Sequence, residues 1–357
     1  MDRLRLLPPD AIRMDGRATC FASVDAMPEE CRAWLGSDLL GGADWFRTVT
    51  AHALPPGATP AFAVATVDGS PAAVMPMMRM ANGQLGGLTT PYTCVFQPVA
   101  GPAAMGHDVV LEAGRQLGRF CRGQATVRID AIPAEWTGLV PFEAGLRAAG
   151  WVVRRFEHFG NWHEPVAGLG WDGYLTGRPG ELRTTVRRKL KRGERDMTLE
   201  VVRGGGALEP AIAAFERVYS ASWKATEPSP AFNPALIRMA AIRGELRLAV
   251  LRAAGQAVAV QFWIVAAGRA TVLKLAHDEA FKPLSPGTVV TAMMIRALLD
   301  DEAVDELDFG RGDDPYKALW TTRRRQRIGL LLMNPRRPAG LMAIGRSLAG
   351  RMRGAVR

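Results

Sequence analysis

The same order of predicted elements occurs twice along the 357-residue chain, and this repetition constrains the fold more than any other feature. The first copy starts with an apolar strand at Ala61, turns at Asp68-Gly69, and continues through a returning strand, a Pro-rich loop, a helix and the strand ATVRIDAI. The second starts at Leu246, turns at Gly255, and continues through two strands, the loop FKPLSPG, a helix and the strand VDELDF. Matching elements lie roughly 180 residues apart, as two copies of one domain require.

Each copy combines strands joined by tight turns with a helix that crosses to a further strand. Strands joined by tight turns pair antiparallel, whereas a strand, loop, helix and strand make a parallel pair by a right-handed crossover. The sequence therefore predicts an α/β fold of two tandem domains, each a mixed, mostly antiparallel sheet flanked by helices. A Pro/Gly-bearing stretch suggests the boundary, so we expect domains over 1–165 and 166–335, then a basic amphipathic tail over 336–357.

Charge and cysteine content narrow the functional classes. The 45 Lys and Arg residues exceed the 35 Asp and Glu, for a net charge of +10. This favours a nucleotide cofactor, a membrane surface or a nucleic acid without choosing among them. The four cysteines are scattered and lack CxxC spacing, so we expect no metal site and no disulfides. We see no signal segment and no bilayer-spanning run, which predicts a cytoplasmic protein.

The strongest candidate for a chemical site is the run DFGRGDDPYK, which directly follows a predicted strand. Its glycines allow a ligand to approach the backbone. Its carboxylates could accept a proton, its tyrosine could donate one, and its lysine could hold an anion. Open α/β sheets place their sites at this end of a strand. The alternative is a polar turn before a short helix. The candidate catalytic residues are Asp308, Asp313, Tyr316 and Lys317.

The second candidate is the loop KPLSPGT, residues 282–288, which leads into a helix. A Gly-bearing loop at a helix N-terminus presents backbone N–H groups and the positive end of the helix dipole. Both attract a pyrophosphate, and Lys282 adds charge. The same sequence is also typical of a simple turn before a helix.

The order of hairpin, strand, SPGT loop, helix, strand, DFGRGDDPYK and Trp320 resembles the GNAT-related acyltransferases linked to bacterial cellulose and exopolysaccharide synthesis. These are relatives of the FemAB-like peptidyltransferases, which carry two GNAT folds. The resemblance covers about residues 171–333 and more weakly 62–99. It implies that acyl-CoA lies between two splayed parallel strands, here 270–276 and 304–309. The cofactor-binding residues it implies are Lys274, Lys282, Ser285, Gly287, Thr288, Gly310 and Gly312.

The implied activity is transfer of an acetyl or other acyl group from acyl-CoA to an amine or hydroxyl. The acceptor would be a sugar, a lipid-linked sugar or an amino compound in envelope or exopolysaccharide biosynthesis. Asp313 or Asp308 would take the acceptor proton, and Tyr316 would protonate the departing thiolate. Two alternatives stay open: a FemAB-like aminoacyl-tRNA-dependent transferase, and a non-catalytic GNAT scaffold of a polysaccharide synthesis complex. The first half lacks a GRGDxxYK run after Asp130, so we expect it to be catalytically silent.

Two basic segments suit anionic partners. At helical spacing, Arg187, Lys191 and Arg195 share one face. This face could bind an anionic acceptor, the phosphates of CoA or a tRNA. The alternative is a face that is simply exposed to solvent. The tail over 338–357 places apolar side chains on one helical face beside arginines. Such a helix can lie on an anionic membrane or pack on its own domain. We therefore expect a small-molecule or glycan acceptor, peripheral membrane contact as an option, and nucleic acid only in the tRNA alternative.

Overall fold

The computed structural model describes residues 11–13, 18–36, 39–101 and 106–354. These residues form two compact units. Unit 1 comprises the described residues up to Phe159 together with those from Gln326 onward, and unit 2 is the continuous segment Gly160–Arg325. Among the helices described, none combines the length and the apolar character that crossing a bilayer requires.

Unit 1 is a mixed sheet with helices. Its strands follow the order β1-β2-β3-β4-β5-β7-β14, with β6 paired to β4. Its strands are β1 (Ala11–Arg13), β2 (Thr19–Phe21), β3 (Thr59–Val67), β4 (Ser70–Arg79), β5 (Leu85–Gly87), β6 (Val99–Ala100), β7 (Thr126–Pro133) and, from Gln326 onward, β14 (Arg323–Met333). Its helices are α1 (Glu29–Trp34), α2 (Ala43–His52), α3 (His107–Phe120), α4 (Leu139–Ala148) and α11 (Pro338–Gly354).

Unit 2 repeats the plan with the strand order β9-β10-β11-β12-β13, and β8 pairs with β13. Its strands are β9 (Met197–Val202), β10 (Leu246–Ala253), β11 (Gln256–Ala266), β12 (Arg269–His277), β13 (Glu306–Asp308) and, from Gly160 onward, β8 (Val152–Pro165). Its helices are α5 (Trp171–Thr176), α6 (Gly180–Asp196), α7 (Leu208–Ser220), α8 (Phe232–Ile242), α9 (Pro286–Asp300) and α10 (Lys317–Trp320). Side chains of α5, α6 and α9 form one buried cluster with Trp263 of β11.

Tight turns set the antiparallel part of both sheets. The turn between β3 and β4 has positive φ at Asp68 and Gly69, 49° and 81°. Ala254 and Gly255, between β10 and β11, show the same pair of positive values, 47° and 79°. Two consecutive left-handed residues match the natural twist of a two-residue hairpin. The turns predicted at these positions are therefore the ones that the chain forms.

The two units share one order of strand pairing. In each, a run of antiparallel pairs ends at a strand that pairs in parallel with the next, β5 with β7 and β12 with β13. A helix, α3 or α9, lies between the parallel strands in the sequence. A final antiparallel strand follows, β14 on β7 and β8 on β13. The predicted fold class, a mixed and mostly antiparallel sheet with flanking helices in each half, is confirmed.

The division into units differs from the predicted boundaries at the C-terminal side. Residues from Gln326 onward, including most of β14, belong to unit 1, because β14 pairs with β7 from Arg327 to Met333. The apolar run IGLLLM in β14 would suit either sheet. Hydrophobic pattern shows that a strand will be buried, but it does not choose the partner strand.

Candidate active site

The parallel strands of unit 2 stop pairing after a short stretch. β12 and β13 pair from Arg269↔Glu306 to Thr271↔Asp308, which is three residue pairs. β13 ends there, whereas β12 continues to His277. Leu273, Lys274 and Leu275 are only half-buried, although Ala270 and Ala276 on either side are buried. An opening therefore begins beside β12 where β13 ends.

An extra residue in β12 determines the direction of Lys274. Lys274 pairs with Phe262 of β11, but Val272 pairs with Trp263, so Leu273 forms a bulge. Because paired residues project to the same face and neighbours to opposite faces, Lys274 lies on the face opposite Trp263. Its ammonium there contacts the carboxylate of Glu227 and lies 5.7 Å from the centroid of the Tyr219 ring.

Glu227 connects three segments beside the opening. Its Oε1 accepts hydrogen bonds from the Tyr219 hydroxyl at the end of α7 and from Lys274 Nζ on β12. The side chains of Glu227 and Lys274 are 10% and 19% exposed, so this ion pair is largely shielded from water. Sequence reasoning included Lys274 but missed Glu227 and Tyr219. A single carboxylate in the loop TEPSPAF gives no signal, since its lysine partner is 47 residues away.

Asp308 is the last residue of β13, and both oxygens of its buried carboxylate are engaged. Oδ1 accepts from the Asn161 side-chain amide and from the Gly310 backbone N–H, each at 2.7 Å. Oδ2 forms an ion pair with Arg325 at 2.7 Å. These bonds fix the start of the loop that follows β13.

Asp313 is half-exposed and held by donors on three residues. It accepts from the Arg324 guanidinium at 2.7 Å, from the Gly160 backbone N–H at 2.9 Å and from the Trp162 indole at 3.1 Å. The hydrogen bond from Arg324 is the main reason that the pKa of Asp313 lies below its usual value. A carboxylate with a lowered pKa is a weaker proton acceptor.

Lys317 stabilises the same loop by hydrogen bonds to its backbone. Its buried ammonium donates to the carbonyl oxygens of Arg311 and Gly312 at 2.7 and 3.2 Å, and lies 3.4 Å from Asp314 Oδ2. Gly310 and Gly312 have φ of 62° and 102°, which residues with a side chain rarely adopt. The loop therefore requires its glycines and curls around the lysine.

Tyr316 retains its proton at neutral pH. Its ring centroid lies 6.5 Å from that of Phe309, and 36% of the residue is exposed. Burial raises the pKa of its phenol, and the negative charge of Asp314 raises it further. The phenol therefore carries its proton at neutral pH, and its raised pKa makes it a weaker acid than an ordinary tyrosine.

The predicted anion loop leads into a 15-residue helix close to the end of β12. Ser285 precedes α9 with a left-handed backbone, φ 56°, and Pro286 is the first helical residue. A Cβ added to Gly287 would lie 3.3 Å from Nδ1 of His277, the last residue of β12. The N-terminus of α9 thus lies beside the far end of the strand that borders the opening.

The remaining loop residues have simpler surroundings. The Thr288 N–H bonds back to the Ser285 carbonyl at 3.1 Å, which closes the first turn. Lys282 is 71% exposed in its side chain and lies 3.4 Å from Glu279. Trp223 is 54% exposed, and its ring contacts that of His277 at a tilt of 43°, with ring centroids 4.5 Å apart. This aromatic pair lies next to the start of α9.

Comparison with known proteins agrees with this geometry. Residues 180–318 match the family described as an acetyltransferase (GNAT) domain, and no curated protein sequence matches the chain. FemX is 12% identical with a TM-score of 0.57, and the match covers 85% of this chain and 95% of FemX. L-PGS from Bacillus licheniformis is 14% identical with a TM-score of 0.51 over 80% of this chain and 87% of its own. A tandem GNAT protein from the clavulanic acid biosynthesis pathway is 13% identical, with a TM-score of 0.47 over 81% and 87% of the chains.

The matched segment begins with α6 and ends in α10, so it contains β12, β13, α9 and the loops around the opening. The match lies in the C-terminal half, where the sequence predicts a GNAT acyltransferase domain. The fold similarity to FemX covers most of the chain.

Proposed function

We propose that the opening beside β12 binds acyl-CoA and that the chain transfers the acyl group, in the simplest case acetyl, to an amine or hydroxyl. The observation that carries this proposal is the parallel pairing that stops at Thr271↔Asp308, with the start of α9 next to His277. Backbone N–H groups of a strand edge can hold the thioester arm and polarise its carbonyl. The N-terminus of a long helix suits the pyrophosphate.

We assign proton acceptance to Glu227, with Asp313 and Asp308 as the alternatives predicted from sequence. Asp308 is engaged at both oxygens, and the pKa of Asp313 is lowered by Arg324. Glu227 is also ion-paired, to Lys274, but it lies at the half-buried part of β12 that borders the opening. The acceptor atom forms a bond to the acyl carbon, and the C–S bond breaks. The acceptor proton goes to Glu227, and the thiolate takes one from Tyr316.

The acceptor class in this proposal is a sugar, a lipid-linked sugar or an amino compound of envelope or exopolysaccharide biosynthesis. Its support is the resemblance in the SPGT and GRGDxxYK motifs. The residues of the second motif form the loop beside the opening. Lys317, the last of them, donates hydrogen bonds to two carbonyl groups of that loop. In this scheme Lys317, Asp308 and Asp313 position the loop.

An aminoacyl-tRNA donor is the second candidate. Two observations favour it: the fold similarity to FemX, with a TM-score of 0.57, and the exposed basic face of α6. Arg187, Arg188 and Lys191 on that face are exposed and form no ion pair among the described residues. Such a face suits a polyanion. The scaffold alternative has no specific observation in its favour.

We also propose that α11 gives the protein a peripheral contact with an anionic membrane from the cytoplasm. The helix leaves Leu341, Met342 and Leu348 more than half exposed, with Arg346 also exposed among them. Apolar side chains beside arginines suit the interface of an anionic bilayer.

The test of the donor is calorimetric titration of the purified protein with acetyl-CoA and with CoA, for the wild type and Gly287→Asp. A carboxylate in the first turn suits the helix dipole, so the variant should fold. It should nevertheless repel the pyrophosphate and weaken binding by about tenfold or more, a loss of about 1.4 kcal/mol.

The matched control is Gly206→Asp, which adds the same charge where a Cβ meets nothing within 4 Å. Saturable binding that Gly287→Asp loses and Gly206→Asp keeps would support the donor and its loop. A folded wild type that binds neither compound would contradict the proposal. The next titrant would then be aminoacyl-tRNA, with a steep salt dependence expected if it is the donor.

A further inference from the structure

The loop between α7 and α8 carries a lysine that lies over an aromatic ring. Lys224 is half-buried, yet its ammonium forms no ion pair within the part of the chain that the structure describes. It lies over the Trp223 ring, 5.4 Å from the centroid. Its backbone N–H bonds to Ser222 Oγ at 3.4 Å, which shapes the turn around it. The turn and the aromatic ring therefore hold the side chain in place, with no ion-pair partner among the described residues.

The charged groups that face Lys224 come from three segments. They are Glu227 of the same loop, Lys274 of β12, and Asp314 and Lys317 of the loop after β13. Lys274 pairs with Glu227, and Lys317 lies near Asp314 while donating to two carbonyls. Three ammonium groups thus face two carboxylates, and the surplus positive charge is that of Lys224.

This surplus of positive charge is energetically unfavourable. Burial, followed by the charge of Lys274, lowers the pKa of Lys224. A partly buried charge without a partner costs folding free energy, and such groups cluster at binding sites. A bound anion would remove the cost and raise the pKa of the amine again.

We propose that Lys224 binds a compact anionic group of the acceptor, a phosphate or a carboxylate, so that the acceptor carries both a nucleophilic amine or hydroxyl and an anion. A sugar phosphate or a sugar acid has this chemistry. The inference rests on the proposed function, because the donor's phosphates are assigned to the start of α9. Lys224 instead faces Glu227, the proposed proton acceptor, and the loop after β13.

Competitive labelling of lysines tests this without knowledge of the acceptor. The chain has six lysines, and a trace of acetic anhydride followed by peptide mass spectrometry reports the reactivity of each. The probes are inorganic phosphate and acetate, added to the wild-type protein with and without saturating CoA. A rise of one unit in the pKa of Lys224 would lower its labelling about tenfold. Lys189 and Lys191 on α6 serve as internal references.

Selective protection of Lys224 by phosphate or acetate that persists with CoA and in Gly287→Asp would support the inference. The stronger of the two ions would identify the group as phosphate or carboxylate. No selective protection by either ion would overturn the inference, whether or not CoA binds. Protection by CoA alone would also overturn it, because Lys224 would then contact the donor. Calorimetric titration tests acyl-CoA binding independently of the labelling. Failure of the proposed function can therefore be distinguished from failure of the Lys224 inference.

Discussion

At the scale of single residues, two carboxylates beside the opening are both hydrogen-bonded but belong to different segments. Asp308 bonds Asn161, Gly310 and Arg325 and is buried. Oε1 of Glu227 accepts hydrogen bonds from the Tyr219 hydroxyl and the Lys274 ammonium. Because Asp308 fixes the start of the loop after β13, whereas Glu227 lies at the half-buried part of β12, we expect loss of charge at Asp308 to affect folding and loss of charge at Glu227 to affect turnover.

Glu227→Gln keeps the shape of the side chain and removes its ability to take a proton. We expect kcat to fall by about 10²- to 10⁴-fold, the usual contribution of a general base, with donor affinity unchanged. Asp308→Asn should instead lower the free energy of unfolding by about 2 kcal/mol, since it removes a charge from a buried hydrogen-bonded pair. Steady-state kinetics and urea unfolding of both variants separate the two effects. If the Glu227→Gln enzyme kept the wild-type kcat, proton acceptance would instead be assigned to Asp313.

The sequence indicates the position of the site better than the roles within it. The GRGDDPYK run and the loop before α9 were predicted from glycine spacing and from the order of strand and helix. The partners that determine chemistry lie far away in the chain: Asn161 is 147 residues from Asp308. Contacts at that distance depend on the completed sheet, so local pattern does not reveal them.

At the scale of elements, α3 and α4 of unit 1 approach with their backbones almost in contact. A Cβ added to Gly145 of α4 would lie 1.9 Å from the carbonyl oxygen of Leu111 in α3. A Cβ on Gly114 of α3 would lie 2.3 Å from the carbonyl oxygen of Phe142 in α4. Backbone atoms cannot turn aside as a flexible side chain can, so this pair of helices depends on both glycines.

Gly145→Ala should therefore lower the free energy of unfolding by about 3 kcal/mol, the upper range for overpacking. Gly345→Ala in α11 is the matched control, because its Cβ would meet nothing within 4 Å. It should be stabilising by about 0.5–1 kcal/mol, since alanine is the better helix former. Urea unfolding followed by circular dichroism measures both. Equal stability of the two variants would contradict the close packing of α3 and α4.

Elements with regular apolar periodicity or clear turn residues were predictable from the sequence, and irregular elements were not. The hairpin turns and the helices α3 and α9 follow from apolar periodicity and turn residues. The sequence pattern did not indicate α4, which is short and contains Pro141 and Gly145. Nor did it predict the bulge at Leu273. One extra residue changes the face of every side chain beyond it, and nothing local marks its place.

At the scale of the whole molecule, the exposed apolar face of α11 gives the proposed membrane contact its test. Replacement of Leu341, Met342 and Leu348 together by Ser should reduce co-sedimentation with phosphatidylglycerol vesicles by about tenfold or more, because each apolar side chain contributes to interfacial burial. Ile242→Ser is the control, as Ile242 is 80% exposed at the end of α8. Vesicle binding that the triple variant retains in full would end the proposal.

The completed sheet of unit 1 has a consequence for biosynthesis. A ribosome delivers the chain from its N-terminus, and domains fold as their residues emerge. Unit 2 is one continuous segment and has all of its residues once Arg325 is made. Unit 1 must wait, because the strand that covers β7 is encoded after unit 2. Until then β7 keeps an unpaired edge, a site at which nascent chains associate wrongly. The half of the protein that is translated first is therefore the last to be finished.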